Sequence, residues 1–291
     1  MNRLTNVLRP ATLLIAAGAI LPSTASAFSF GTAEPENAQT TSHESSLSVD
    51  YGEDRWRFDF NSWMWMIGAD GSVGVGDRKA DVDASFGDIL DASDSLFAFS
   101  GHLEVGHGRW AGYVDAWYGN MGADGLSGPN AMTDIDVTFE QLIVDFGVMY
   151  RVYQWQPEGI GHGHRLGGLV DLYGGARYNM VSLEVDPAML ASRSKDEHWV
   201  DPIIGARLIH PLSENLHARV NGDIGGFGVG SDFTWSATAV LGYDFTIFSI
   251  PATIYGGYRA IGWDYSDGSG ADEFEWDVTL HGPILGLSLR F

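Results

Sequence analysis

Residues 274–291, FEWDVTLHGPILGLSLRF, constrain the fold of this chain more than any other stretch. Counting back from the end, Phe291, Leu289, Leu287 and Leu285 fall on one side of an extended chain. Arg290, Ser288 and Gly286 fall on the other. A period of two is the mark of a β-strand with one apolar and one polar face. Before His281-Gly282-Pro283 the apolar set changes parity, to Phe274, Trp276, Val278 and Leu280. A one-residue β-bulge there restores a single apolar face along all 18 residues, and the reading expects one. Eighteen residues is long for a strand, since about 5–6 is typical.

The same rhythm recurs along the chain. Strands are expected at 55–68, 96–106, 109–121, 135–153, 166–185, 198–209, 215–225, 233–245, 253–264 and 274–291. In the first, Trp56, Phe58 and Phe60 alternate before Trp63, Trp65 and Ile67 take the other parity. Either a bulge at Asn61-Ser62 or apolar residues on both faces accounts for that. Strand 233–245 places Phe233, Trp235, Ala237, Ala239, Leu241, Tyr243 and Phe245 at every second position. Aromatics at both ends with small aliphatics between are the girdles expected at two membrane interfaces. The longest connection, 69–95, holds seven acids, with one helical turn expected around 85–90. Ten strands with short turns alternating with longer loops make an all-β fold, a transmembrane antiparallel up-and-down barrel. Eight or twelve strands remain open.

The ends and the composition set the address. Arg3 and Arg9 precede an apolar run at 11–21 and an Ala25-Ser26-Ala27 site, so residues 1–27 read as a cleaved signal peptide. Residues 28–54 are polar and read as a flexible periplasmic leader. Without residues 1–27 the chain keeps 14 of its 16 basic and all 38 acidic residues, a formal charge of −24. That balance excludes nucleic acid as a partner. The absence of cysteine excludes disulfides, thiolate metal sites and thiol nucleophiles.

With the aromatic face assigned to lipid, the opposite face gathers charges of both signs. The expected interior network is Glu104, Asp115, Asp145, Asp171, Arg177, Asp201, Arg207, Arg219, Asp223, Arg259, Glu275 and Asp277. Ser100, His102, Arg151, Asn179, His217, Asn221, Tyr255 and Thr279 lie on the same face. Buried charges must be paired. Barrels near eight strands are just filled by side chains. The expectation is therefore a plugged lumen, the alternative a narrow channel for small polar or cationic solutes.

No catalytic motif is present: no G-x-S-x-G elbow, H-E-x-x-H or phosphate loop. His102 and His281 are candidates to meet a serine across strands, the pattern of a lipid-modifying barrel enzyme. His107, His162 and His164 are a weak metal set. Asp81-Val82-Asp83-Ala84-Ser85 begins like a calcium loop, but Gly87 falls at position seven and no Glu follows at twelve. No catalytic residue, cofactor or resident metal is expected.

The closing strand, ending in Phe291 behind Leu289 and Leu287, resembles that of Gram-negative outer-membrane barrels. There the terminal strand is the signal read by the barrel assembly machinery. Residues 199–207 (WVDPIIGAR), 222–232 (GDIGGFGVGSD) and 280–283 (LHGP) resemble small outer-membrane barrels of the OmpA/OmpW-like porin family type. The resemblance implies the cell outer membrane as location, with membrane lipid and lipopolysaccharide as neighbours; the acidic loops suit divalent cations shared with lipopolysaccharide. The absence of catalytic motifs and the expected plugged lumen point to a structural or surface-interacting role with no enzymatic activity.

Overall fold

The computed structural model describes residues 55–76, 78–127, 134–155, 167–187, 193–270 and 273–291. The expected signal peptide and leader lie outside them. The described elements are β1 (Trp56–Trp65), β2 (Gly68–Val75), β3 (Arg78–Ala84), α1 (Phe86–Ala92), β4 (Ser95–His107), β5 (Trp110–Ser127) and β6 (Asp134–Trp155). They continue with β7 (Gly168–Pro187), β8 (Arg193–Pro211), β9 (Leu216–Gly226), β10 (Phe233–Ile247), β11 (Ile250–Asp267) and β12 (Phe274–Arg290). Every pairing is antiparallel. The order β1-β4-β5-β6-β7-β8-β9-β10-β11-β12 is closed by β1 against β12. Ten strands thus make the barrel, and the hairpin β2–β3 is an addition to one side of β12.

The register at the seam decides the bulge question. β12 runs against β11 without a break from Leu289–Ala252 to Phe274–Asp267. On its other edge it meets β1 from Arg290–Asp59 to Ile284–Trp65, then β2 from His281–Gly68 to Phe274–Val75, in one continuous register. Met66 N–H donates to the Pro283 carbonyl at 2.9 Å and fills the interval. β1 and β2 are therefore one extended path. No bulge interrupts β12 at His281-Gly282-Pro283 or β1 at Asn61-Ser62. The ladder irregularities lie elsewhere, between Ala123 and Leu126 and between Arg151 and Tyr153.

Without a bulge, the change of parity is a change of face. On β12, Phe274, Trp276, Val278 and Leu280 are buried in the interior, whereas Leu285 and Leu287 are exposed on the outer wall. β6 repeats the pattern. Its outer face reads Asp136, Thr138 and Glu140 near one end, then Leu142, Val144, Phe146, Val148, Tyr150 and Val152. Its inner face reads Val137, Phe139, Gln141 and Ile143, then Asp145, Gly147, Met149 and Arg151. The lower half of the barrel, at the Trp56 and Arg290 end, is apolar outside and charged inside. The upper half is polar outside and apolar inside.

The expected long loop at 69–95 is mostly ordered structure. Its helical turn is α1, where Ser85 caps the Asp88 N–H at 3.2 Å and Asp88 returns a bond to the Ser85 N–H at 3.0 Å. Ile89 is fully buried with Ala84 of β3, Leu96 of β4, and Met121 and Ala123 of β5. The helix so packs between the hairpin and β4–β5. Asp81 and Asp83 sit in strand β3, and Ser85 is a helix cap. The residues that begin like a calcium loop are accounted for by a strand and a cap.

Candidate functional site: the barrel interior

In an antiparallel ladder, side chains directly opposite one another on one face stand about 4.5–5.5 Å apart at Cβ. The register therefore builds ion pairs in the lower interior. Asp145 faces Arg177, Arg151 and Arg207 both face Asp171, Asp59 faces Arg290, and His102 faces Asp115. The Arg177 guanidinium, fully buried, donates to both Asp145 oxygens at 2.8 Å. Arg151 and Arg207 reach Asp171 at 3.0 and 2.5 Å. Arg290 lies 3.1 Å from Asp244 and 3.6 Å from Asp59. His102 meets Asp115 at 3.1 Å.

Other bonds cross the lumen between strands that are not neighbours. Arg207 of β8 donates to Glu104 of β4 at 2.6 Å, and Arg259 of β11 to Asp115 of β5 at 3.0 Å. Arg177 of β7 reaches Asp223 of β9 at 3.0 Å and Thr234 of β10 at 3.1 Å. β4 and β8 stand almost opposite in the ring, as do β5 and β11. In an open pore facing walls do not touch; here side chains from facing walls are bonded to each other. Taking charges out of water costs several kcal/mol per ion, returned only where geometry is good and remaining polar atoms are bonded. Two-donor bonds such as Arg177 to Asp145 meet that condition. The balance of charge agrees. Among the described residues of the charged layer, eight carboxylates (Asp59, Glu104, Asp115, Asp145, Asp171, Asp201, Asp223, Asp244) face seven arginines (Arg57, Arg151, Arg177, Arg207, Arg219, Arg259, Arg290). Among the described residues, the excess of acid over base therefore lies mostly outside the charged layer.

Above this layer the interior is mainly apolar, with the Gln141 amide among it. Trp65, Trp117, Phe139 and Trp276 are essentially inaccessible. Trp199 stacks on Tyr265 at 4.0 Å between centroids, Tyr265 meets Phe274 at 6.2 Å, and Trp276 meets both Phe274 and Phe139 at 6.3 Å. Trp65 and Trp117 meet edge to face at 5.8 Å. The two layers join where the Arg259 guanidinium lies 5.3 Å from the Trp63 ring and 5.4 Å from the Trp65 ring. Small cavities of about 90 Å³ and about 60 Å³ lie in the charged layer.

Ten of the twelve residues expected in the network project into the interior. Asp201 is held there by Asn179, Trp199 Nε1 and Ser231 rather than by a cation. Glu275 and Asp277 do not belong: they lie in the upper half of β12 on the outer wall, as does Thr279, and Lys79 pairs with Glu275 at 2.9 Å. Carrying one face through a supposed bulge put them on the wrong side. The network also contains Arg57, Asp59, Asp244 and Arg290, which sequence reasoning missed although all four share the inner parity of their strands. Phe291, at the seam, exchanges backbone bonds with Phe58 at 2.8 and 3.1 Å. Leu287 and Leu289 share the outer parity of β12 above it.

Neither candidate histidine bonds a serine. His102 meets Asp115 and Glu104 inside. His281 lies on the outer wall between the Tyr258 hydroxyl and Asp70, each at 2.5 Å. His162 and His164 lie outside the described residues. Among the described residues no group of three or more His, Asp or Glu side chains is placed to hold a metal ion.

No protein-family model matches the sequence, the OmpA/OmpW-like type included, and no curated protein matches it. Among solved structures, Ail, the attachment invasion locus protein of Yersinia pestis, in complex with the heparin analogue sucrose octasulfate, is similar. The TM-score is 0.37 at 12% identity, over 82% of this chain and 99% of that one. A FadL homologue of Pseudomonas aeruginosa gives 0.24 at 6% identity, over 84% and 91% of the two chains. The P. putida toluene transporter TodX gives 0.20 at 8%, over 84% and 92%. Similarity at this level is loose, and the function has to be argued from this chain's own residues.

Proposed function

We propose that this chain is an integral outer-membrane barrel whose lumen is closed, with a structural or surface-interacting role and no enzymatic activity. The observation that carries this reading is the pairing of opposite walls. Arg207–Glu104 and Arg259–Asp115 tie the charged layer across the barrel, beneath an aromatic stopper. The membrane assignment is supported by the outer wall. The apolar outer positions of β6 run from Leu142 to Val152, ten steps along the strand. At about 3.3 Å per residue and a tilt of about 40°, that spans about 25 Å, the height of the apolar band of an outer-membrane barrel. Above it the strands carry a polar exterior and an apolar interior, the arrangement of a barrel standing in water. In this reading the hairpin β2–β3 and α1 stand on the outer, cell-surface side. The exposed seam face of Leu287, Leu289 and Phe291 is the part offered to the assembly machinery.

Heat-modifiable migration tests the barrel in its membrane. Membrane-extracted protein should run faster unboiled than boiled and stay with the outer-membrane fraction. Identical migration together with recovery in the soluble fraction overturns the assignment. The cation-channel alternative loses its main support, because the acidic excess among the described residues lies mostly outside the charged layer.

A further inference from the structure

Six of the seven interior arginines are bonded by carboxylate or carbonyl oxygens. Five meet a carboxylate, and Arg57 donates to the Gly108 carbonyl at 2.8 Å. Arg219 is different: it bonds the Tyr255 side chain and meets no carboxylate. Its partners across the ladder are Ile209 on β8 and Val240 on β10, both buried and apolar, so neither neighbouring strand supplies a counter-charge. No carboxylate lies within ion-pair distance among the described residues. The guanidinium rests 5.1 Å over the Tyr255 ring, and its buried Nε has no hydrogen-bond partner. Arg219 also lines both of those cavities and stands between them.

A half-buried interior arginine whose Nε is shut away from water without a counter-charge carries a cost. Polar room beside it invites one. The larger cavity, about 90 Å³, offers Asn221 and Thr238 alongside Arg219. Asp115, Asp145 and Asp223 line it too, but each is already bonded by Arg259 or Arg177. We propose that Arg219 is the cationic half of a buried binding site for a small monovalent anion, of halide to formate size. The bound anion completes the charge balance of the closed interior argued above, on which this inference rests.

The test uses the refolded full chain in a neutral detergent. Its thermal unfolding midpoint is followed in sodium chloride, bromide or formate, against gluconate at equal ionic strength. Gluconate is too large for the cavity. A ligand that binds only the folded state raises the midpoint with concentration. The expected result is a rise of a few degrees with the small anions. It should be lost in Arg219→Gln and kept in Arg78→Gln, a change on the exposed face of β3. A response to formate alone supports the site and narrows its ligand to a carboxylate. If Arg219→Gln does not fold, bromide diffraction on the wild type decides: an anomalous peak beside Arg219 supports the site, and a peak elsewhere or none overturns it. A midpoint that follows ionic strength whatever the anion means that only water sits there, and overturns it. Conductance is recorded on the same preparation, so an open lumen and an absent anion site give different results.

Discussion

Arg177→Met is the most informative single change in the interior. The side chain is fully buried and methionine has similar bulk, so the substitution removes charge and donors with little change of volume. The consequences for its two carboxylates differ. Asp223 keeps donors from the Tyr173 hydroxyl at 3.0 Å and Ser236 at 2.5 Å. Asp145 is bonded through Arg177 and is left bare. Removing one partner of a buried ion pair costs about 3–5 kcal/mol, most of it from the charge left behind. We therefore expect Arg177→Met to destabilise the barrel by about 3–5 kcal/mol, and the double variant Arg177→Met/Asp145→Asn to recover part of it. The coupling should reach about 1–3 kcal/mol, as for contacting residues. Urea unfolding in lipid vesicles, read by tryptophan fluorescence, measures both. A single variant within about 1 kcal/mol of wild type refutes the reasoning. So does a double variant whose effect is the sum of its parts.

Other expectations follow from the change of face along each strand. Phe146→Lys, on the apolar outer wall of β6, should cost about 2–4 kcal/mol, and Thr138→Lys, higher on the same face, about 0–1. Equal costs in vesicle-based unfolding contradict the placement of the membrane boundary. Gly282→Ala sets a Cβ against the Met66 carbonyl oxygen at the seam, whereas Gly256→Ala meets its nearest atom, the Ile284 oxygen, at 3.7 Å. The first should lose about 1–3 kcal/mol and the second less than about 0.5 in the same assay. In α1, the Ser85 hydroxyl and backbone N–H hold the Asp88 carboxyl below the usual aspartate range. Its contribution is therefore complete above about pH 4 and disappears as pH falls through that lowered value. The Ile89 amide should keep its exchange protection down to that point. In Ser85→Ala it should exchange about fivefold faster, the loss of an ordinary cap.

The ten barrel strands were legible because alternation survives in every one of them. The bulge expected in β12 is not there, and in β1 the alternative of apolar residues on both faces holds, for one physical reason. A single apolar face presumes a single solvent outside. β1 and β12 pass from an apolar surrounding to water, and there the aromatic residues cross to the interior: Trp63 and Trp65 on one strand, Trp276 and Phe274 on the other. Glu275 and Asp277 went to the wrong side with that assumption. The hairpin β2–β3 was hidden because GADGSVGV and RKADVDA are rich in small and charged residues, the composition of a loop. They hold strand form by pairing with β12. The interior pairs were legible as residues. Their partners across the lumen, Glu104 to Arg207 above all, depend on barrel closure and leave no local trace.

The central claim is that the lumen is closed, and single-channel recording of the refolded wild type in planar bilayers tests it most directly. The expected result is a membrane that stays silent at moderate voltage after verified insertion. Reproducible conductance steps from the wild-type protein contradict it.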